Sequence, residues 1–186
     1  MNIFVLDKNP VKAAQMLCDR HVPKMILESA QMLSTAHRLL DGKPEKRRSR
    51  SGKTEQTYYA FGDIRDSLYY AAVHKNHPCT IWTMASKQNY DWHYGHFVSM
   101  SREFEYRRNK EHVTFTKLGK ILAAPPEKIP HIGLTEFAQA MNNYPACKVP
   151  GDAVQAYRNY YHYAKDFAKW EWKRPAPDWW EGYKGA

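Results

Sequence analysis

His21 and Glu28 have the residue types and the spacing of a proton-transfer pair. On a continuous α-helix, residues seven positions apart differ by only about 20° and therefore share one face. A carboxylate and an imidazole at the edge of an apolar stripe can exchange a proton with a substrate, which is the chemistry of general acid–base catalysis. The same spacing is also common on ordinary helix surfaces, so it indicates a candidate site without naming a reaction.

A second candidate group lies in "KNHPCTIW", where Asn76, His77 and Cys79 precede an apolar run. Pro78 is typical of a helix start, and the free amides of a helix start can bind an anion such as phosphate. One alternative is simple capping of the helix by Asn76. The other is zinc, with ligands drawn from Cys18, His21, His74, His77 and Cys79. Because their spacing lacks the usual rhythm of zinc ligands, we expect no metal site.

The charge of the chain favours a polyanionic partner. The net charge is +9 and the isoelectric point is about 9.4, which is typical of nucleic-acid-binding proteins. Residues 42–57 are predicted to form a basic mobile loop that either binds phosphate or only keeps the chain soluble. The candidate phosphate contacts are Lys24, Lys43, Arg47, Arg48, Arg50 and Lys53.

The aromatic tail of residues 173–186 offers a second way to hold DNA. Trp179, Trp180 and Tyr183 follow Arg174 in a segment with no periodicity. Flat rings interleaved with cations can hold bases and backbone together. The alternative is that these rings pack down and cover the core.

These residues must be positioned by a mainly α fold, which we expect to be one domain of residues 1–186. Helical spacing is predicted over 11–40, 63–73, 78–108 and 153–172, after a short extended segment "NIFVL". Residues 109–150 are predicted to be an irregular insertion with one possible short strand in "VTFTKLGKIL". The architecture expected is a helical bundle with long irregular loops. The chain lacks a membrane-length apolar run and has three scattered cysteines, so we expect a cytoplasmic protein, in the host cytoplasm if it is viral.

Four stretches together resemble the pyrimidine-dimer DNA glycosylase family, the phage endonuclease V type and its bacterial relatives. They occur in the order "DRHVPKMILES", "DGKPEKRR", "NHPCTIW" and "RPAPDWWEGYKGA". The resemblance implies a small helical enzyme that binds double-stranded DNA without a cofactor. It also implies that the α-amine of Met1 forms a Schiff base with C1′ of the damaged nucleotide. Glu28 would assist β-elimination, His21 would place Glu28 or the sugar, and Arg47 and Arg48 would hold phosphate.

The chain also departs from that family. Asn2 is bulky enough that Met1 should be retained, and Leu27 stands where the family has an arginine. Residues 105–165 have no counterpart in the resemblance, and this insertion could build a pocket for a different base. The function expected is excision of an abnormal pyrimidine, with possible lyase activity at the abasic site. The alternatives are a phage enzyme that modifies a base without excising it and a non-catalytic nucleic-acid-binding protein.

Overall fold

The N-terminal segment is extended and buried. The computed structural model describes residues 1–49 and 51–185, and it confirms that the fold is mainly α. Residues 1–5 have no regular secondary structure, yet Phe4 and Val5 are almost fully buried, as is the adjoining Leu6. Helix α1, Pro10–Gln15, follows and is capped by the side chain of Asn9. The extended segment predicted from "NIFVL" is therefore present as a buried arm.

The helix that carries Glu28 is α2, which runs over His21–Asp41. Residues 16–20 interrupt the predicted helix of residues 11–40, so Pro23 lies in the first turn of a new helix. A proline is tolerated there because its missing N–H would have no partner within the helix. The apolar stripe of α2 is buried as predicted and includes Met25, Ile26, Met32, Leu33 and Ala36.

Residues 42–57 do not form the loop that the sequence predicted. Strand β1, Lys43–Arg48, pairs antiparallel with β2, Glu55–Ala60, so that Lys43 lies opposite Ala60 and Arg48 opposite Glu55. The prediction was wrong because every residue of β1 is exposed, and a two-sided polar strand has no alternating apolar signal.

A buried arginine attaches this hairpin to α2. The Arg38 guanidinium donates hydrogen bonds to the carbonyl oxygens of Tyr59, Asp66, Tyr69 and Tyr70 and to the Asp66 carboxylate. Its side chain is 1% exposed, so the charge is buried but fully paired. The hairpin base is therefore fixed, and its cations project from a stable support.

The second long helical region is divided in two. Helix α3 is one turn, Arg65–Leu68, and is shorter than the predicted helix of residues 63–73. The predicted continuous helix of residues 78–108 is two helices, α4 over Pro78–Ala85 and α5 over Lys87–Arg108. Ser86 is extended between them, and its hydroxyl accepts the Gln88 N–H, which is the capping arrangement that starts a new helix.

The insertion and the tail are largely irregular. Residues 109–150 contain helix α6, Val113–Leu118, where the sequence allowed a strand, and one short 3₁₀ turn at Pro145–Cys147. Helix α7, Ala153–Ala164, is capped by Asp152 and ends well before the predicted residue 172. Buried apolar side chains from Ile3 to Ala168 form one cluster. Among the described residues, no helix is long and apolar enough to cross a membrane.

Candidate functional site

The N-terminus is held in place by Asn2. This side chain is 8% exposed, and its Nδ2 donates to the Ala140 carbonyl at 3.0 Å. Its Oδ1 accepts from the Tyr157 hydroxyl at 2.7 Å and from the Ile3 N–H at 3.0 Å. Two distant parts of the chain therefore fix the residue next to the α-amine.

The anchored amine lies beside Glu28. The Met1 nitrogen is 3.5 Å from Glu28 Oε2, and the two side chains are 4% and 14% exposed. Within the described part of the chain, the buried Oε2 accepts no hydrogen bond. Met1 as a whole is only partly buried although its side chain is nearly inaccessible, so its accessible surface is on the main chain, which carries the amine.

Lys24 completes this charged group at its outer edge. Its Nζ lies 3.7 Å from Glu28 Oε1, one helical turn away, and its side chain is 63% exposed. The carboxylate thus faces a cation on each side, one anchored and one open to solvent. This is the geometry of a partly buried acid–base pair with a cation available for a phosphate.

His21 is packed into the core rather than directed at this pair. It is 3% exposed, stacks on Phe4 at 4.4 Å and forms a 2.5 Å hydrogen bond with the Tyr161 hydroxyl. Burial lowers the pKa of His21 to about 3, with the nearby Lys165 and Lys24 charges adding to the effect, so the ring is neutral. No hydrogen bond joins it to Glu28 in residues 1–49 and 51–185, and its role at the sugar stays a prediction.

His77 connects the "NHP" motif with the amine. Its Nδ1 accepts the Cys79 N–H at 3.2 Å and caps α4, so a neutral ring carries its proton on Nε2. Burial lowers the pKa of His77, the Met1 amine and His74 lower it further, and Glu28 opposes them. His77, not Asn76, therefore caps the helix, and Asn76 is exposed.

Cys79 lies behind this site as a packed thiol. It is 1% exposed, and its Sγ contacts Asn2 Oδ1 at 3.4 Å. Burial raises the pKa of Cys79 to about 11, so the sulfur is a neutral thiol near pH 7. The described residues contain no group of three or more His, Cys, Asp or Glu side chains that could hold a metal ion.

A cavity of about 200 Å³ opens beside His77. Its walls are His77, Pro78, Tyr160 and residues 140–143, the last from the irregular insertion. Sequence reasoning missed Asn142, Asn143 and Tyr160 because they lie outside the resemblance and in segments without a motif. It also missed Lys165, whose Nζ lies 4.0 Å from the centre of the Tyr160 ring.

The cations that the sequence predicted as phosphate contacts lie mostly on the hairpin and form a separate basic surface. Lys43, Arg47, Arg48 and Lys53 are exposed on the hairpin, and Arg50 lies outside the described residues. Lys75 Nζ is 3.5 Å from the Tyr59 hydroxyl, which places β2 next to the segment that leads into His77. The hairpin and the "NHP" motif are therefore neighbours.

The predicted tail residues mostly make contacts within the fold. Arg174 pairs with Glu103 at 2.8 Å, and Trp180 stacks on His162 at 5.0 Å. The Trp179 indole N–H points at Met16 Sδ at 3.5 Å, whereas Tyr183 is 48% exposed. The tail rings thus cover the core, and contact with DNA by Arg174, Trp179, Trp180 or Tyr183 stays a prediction.

Comparison of the chain with models of protein families, with curated proteins and with solved structures finds no match. The resemblance to the pyrimidine-dimer glycosylases therefore stays an expectation from four short stretches. The functional argument must come from the site itself.

Proposed function

We propose that the protein is a DNA enzyme that excises an abnormal pyrimidine and cleaves the strand at the resulting abasic site. The supporting observation is the 3.5 Å approach of the Met1 amine to the buried Oε2 of Glu28. An amine and a carboxylate in contact are the two groups that Schiff-base chemistry at a sugar requires. The proposal takes the chain as one helical domain, because its buried apolar side chains form one cluster.

The proposed reaction begins with the Met1 amine, which acts as a nucleophile through the lone pair of its unprotonated form. The nitrogen attacks C1′, a nitrogen–carbon bond forms, and the glycosidic bond breaks so that the base leaves with the electron pair and takes up a proton. The sugar ring opens to give an imine to Met1. Glu28 then removes a proton from C2′, the C3′–oxygen bond breaks with phosphate as the leaving group, and water hydrolyses the imine.

Duplex DNA is the proposed substrate because cations lie both at the amine and on the neighbouring hairpin. Lys24 lies at the site, and the hairpin cations lie beyond Lys75 and His77. Phosphate contacts of this kind supply much of the affinity of a DNA-binding protein and make it salt-dependent. The target nucleotide would be rotated out of the stack, since the reacting carbon is inaccessible within a duplex. No cofactor is needed for these steps.

The test is borohydride trapping on a short duplex with one central abasic site. Reduction of the imine leaves a covalent protein–DNA adduct. We expect an adduct with the unmodified chain and with the control Glu127→Gln, which changes an exposed carboxylate next to Asp41, at the end of α2 and about 20 Å along the helix from Glu28. Glu28→Gln should slow strand cleavage by about 10²–10⁴-fold, the usual contribution of a general acid–base, without changing DNA affinity.

A second variant tests the amine. Adding a short Gly–Ser extension before Met1 moves the α-amine away from Glu28, so it should abolish the adduct and leave binding intact. Intact-mass measurement checks that Met1 is retained. An altered base mass with an intact glycosidic bond would instead indicate a base-modifying enzyme. DNA binding with no turnover, unchanged in Glu28→Gln, would indicate a non-catalytic protein.

A further inference from the structure

We infer that the cavity between His77, Tyr160 and the insertion is the pocket for a single extruded pyrimidine ring. This inference rests on the proposed function and adds the substrate class to it. It assigns a role to residues 140–143, which the resemblance does not cover.

The size of the cavity suits a nucleobase. Its volume is about 200 Å³, below the roughly 300 Å³ at which pockets for drug-sized ligands begin. One six-membered ring with a small substituent fits a space of this size. The cavity is open to solvent on one side, so its volume sets no upper limit on the base. The preference for a single pyrimidine therefore rests on the polar groups of the wall.

The polar groups around the cavity match a pyrimidine edge. Asn142 and Asn143 lie at the exposed rim of the cavity. Among the described residues the Asn143 amide makes no hydrogen bond, and Asn142 uses only its oxygen, which accepts from Lys148 Nζ at 2.7 Å. An amide offers a donor beside an acceptor, which complements the adjacent carbonyl and ring nitrogen of a pyrimidine. His77 adds a donor at Nε2, because its Nδ1 is already bonded to the Cys79 N–H.

Tyr160 provides the flat surface that such a pocket needs. It is half-buried, and its ring lies nearly parallel to Phe4, at 6.2 Å and 15°. Extruded bases are usually held by stacking on aromatic side chains as well as by hydrogen bonds to their edges. Phe4 and the cation of Lys165 hold Tyr160 in one orientation.

The pocket is tied to the reacting groups. Asn2, which follows the amine, donates its hydrogen bond to Ala140, and Ala140 is part of the cavity wall. His77 lies in the same wall and feels the charges of both Met1 and Glu28. A base in the cavity is thus bound by the same unit that positions the amine, so recognition and attack are coupled.

The experiment compares short duplexes that differ at one central position. The probes are uracil, 5-hydroxymethyluracil, 5-hydroxymethylcytosine, hypoxanthine, 8-oxoguanine, a thymine dimer and an abasic site. Affinity is measured with the chain extended by Gly–Ser before Met1, in which the amine is moved away from the sugar and base excision is blocked under the proposed function. We expect at least one single pyrimidine to bind about tenfold or more tightly than both purines and the dimer, the discrimination typical of one good amide–base pair.

The wall amides are then removed with the double variant Asn142→Leu and Asn143→Leu. It should lose the preference for the pyrimidine and keep wild-type trapping on the abasic duplex, which has no base to bind. The control Gln155→Leu removes an exposed amide on α7 and should change neither. Equal affinity for all probes, or a preference that survives the double variant, would overturn the pocket. Absent abasic trapping would overturn the proposed chemistry alone, because the affinity ranking does not depend on it.

Discussion

The anchoring of the N-terminus by Asn2 leads to a prediction about stability and activity together. In Asn2→Leu, the buried Ile3 N–H loses its acceptor and the Ala140 carbonyl loses its donor. Tyr157 is less affected because its hydroxyl can still donate to the Ala138 carbonyl at 2.9 Å. Each buried group left without a hydrogen bond costs about 1–3 kcal/mol, so the loss of both partners should lower the free energy of unfolding by about 2–6 kcal/mol.

This loss is measurable by urea and thermal unfolding. For a chain of this length, each kcal/mol lowers Tm by roughly 2–4 °C. Leucine is bulky enough that Met1 should be retained, which intact mass confirms. Because the amine is no longer fixed beside Glu28, trapping on the abasic duplex should fall at a temperature where the variant is folded, while DNA affinity is unchanged. An unchanged Tm together with unchanged trapping would refute the anchoring argument.

Three further predictions concern other parts of the molecule. Burial lowers the pKa values of several histidines from 6.5, among them His21 to about 3, His37 to about 4 and His96 to about 3. In the unfolded chain these histidines take up protons at a higher pH than in the folded protein. Their contribution to the free energy of unfolding is therefore fully present above pH 6.5 and is lost as the pH falls toward 4. For these three side chains the loss is about 3–4 kcal/mol between pH 6 and pH 5. A constant urea midpoint across that range would contradict this. Replacing both Arg47 and Arg48 by alanine should reduce the slope of log affinity against log salt concentration by about 1.8, because two phosphate contacts are lost. The control Lys169→Ala should leave this slope unchanged. Both slopes are measured by titrating duplex DNA at several salt concentrations. Trp180→Ala should lower the free energy of unfolding by about 2–4 kcal/mol, since the Trp180 ring stacks on His162. If Trp180→Ala instead weakened DNA binding as much as the Arg47 and Arg48 replacement does, Trp180 would be a DNA contact.

The sequence indicated Glu28 as a candidate catalytic residue but did not indicate which residues surround it. The 3.6-residue spacing of α2 predicted a buried stripe, and Glu28 lies at its edge as expected. The proximity of Met1 depends on contacts from Asn2 to Ala140 and Tyr157, which are more than 100 positions away in the chain. Periodicity reports only local structure, so no pattern near Met1 could show where the arm would lie.

The hairpin was predicted wrongly, whereas the sequence left open whether the tail packs on the core or contacts DNA. β1 has no buried residue, so its charges gave the composition of a loop, although Arg38 and the pairing with β2 order it. The tail lacks periodicity, yet Trp180 is ordered by contacts with the rings of His162, Trp170 and Trp179. Tertiary contacts decide both segments, and sequence propensity is a weak guide where they do.

The central claim is that the Met1 nitrogen is the nucleophile and that Glu28 removes the C2′ proton from the imine that this nitrogen forms. The most direct measurement is peptide mapping by mass spectrometry of the borohydride-reduced adduct with an abasic duplex. The account predicts that the sugar remnant is on the α-nitrogen of Met1. A remnant on Lys24 or Lys165, or the absence of any adduct while DNA is bound, would contradict it.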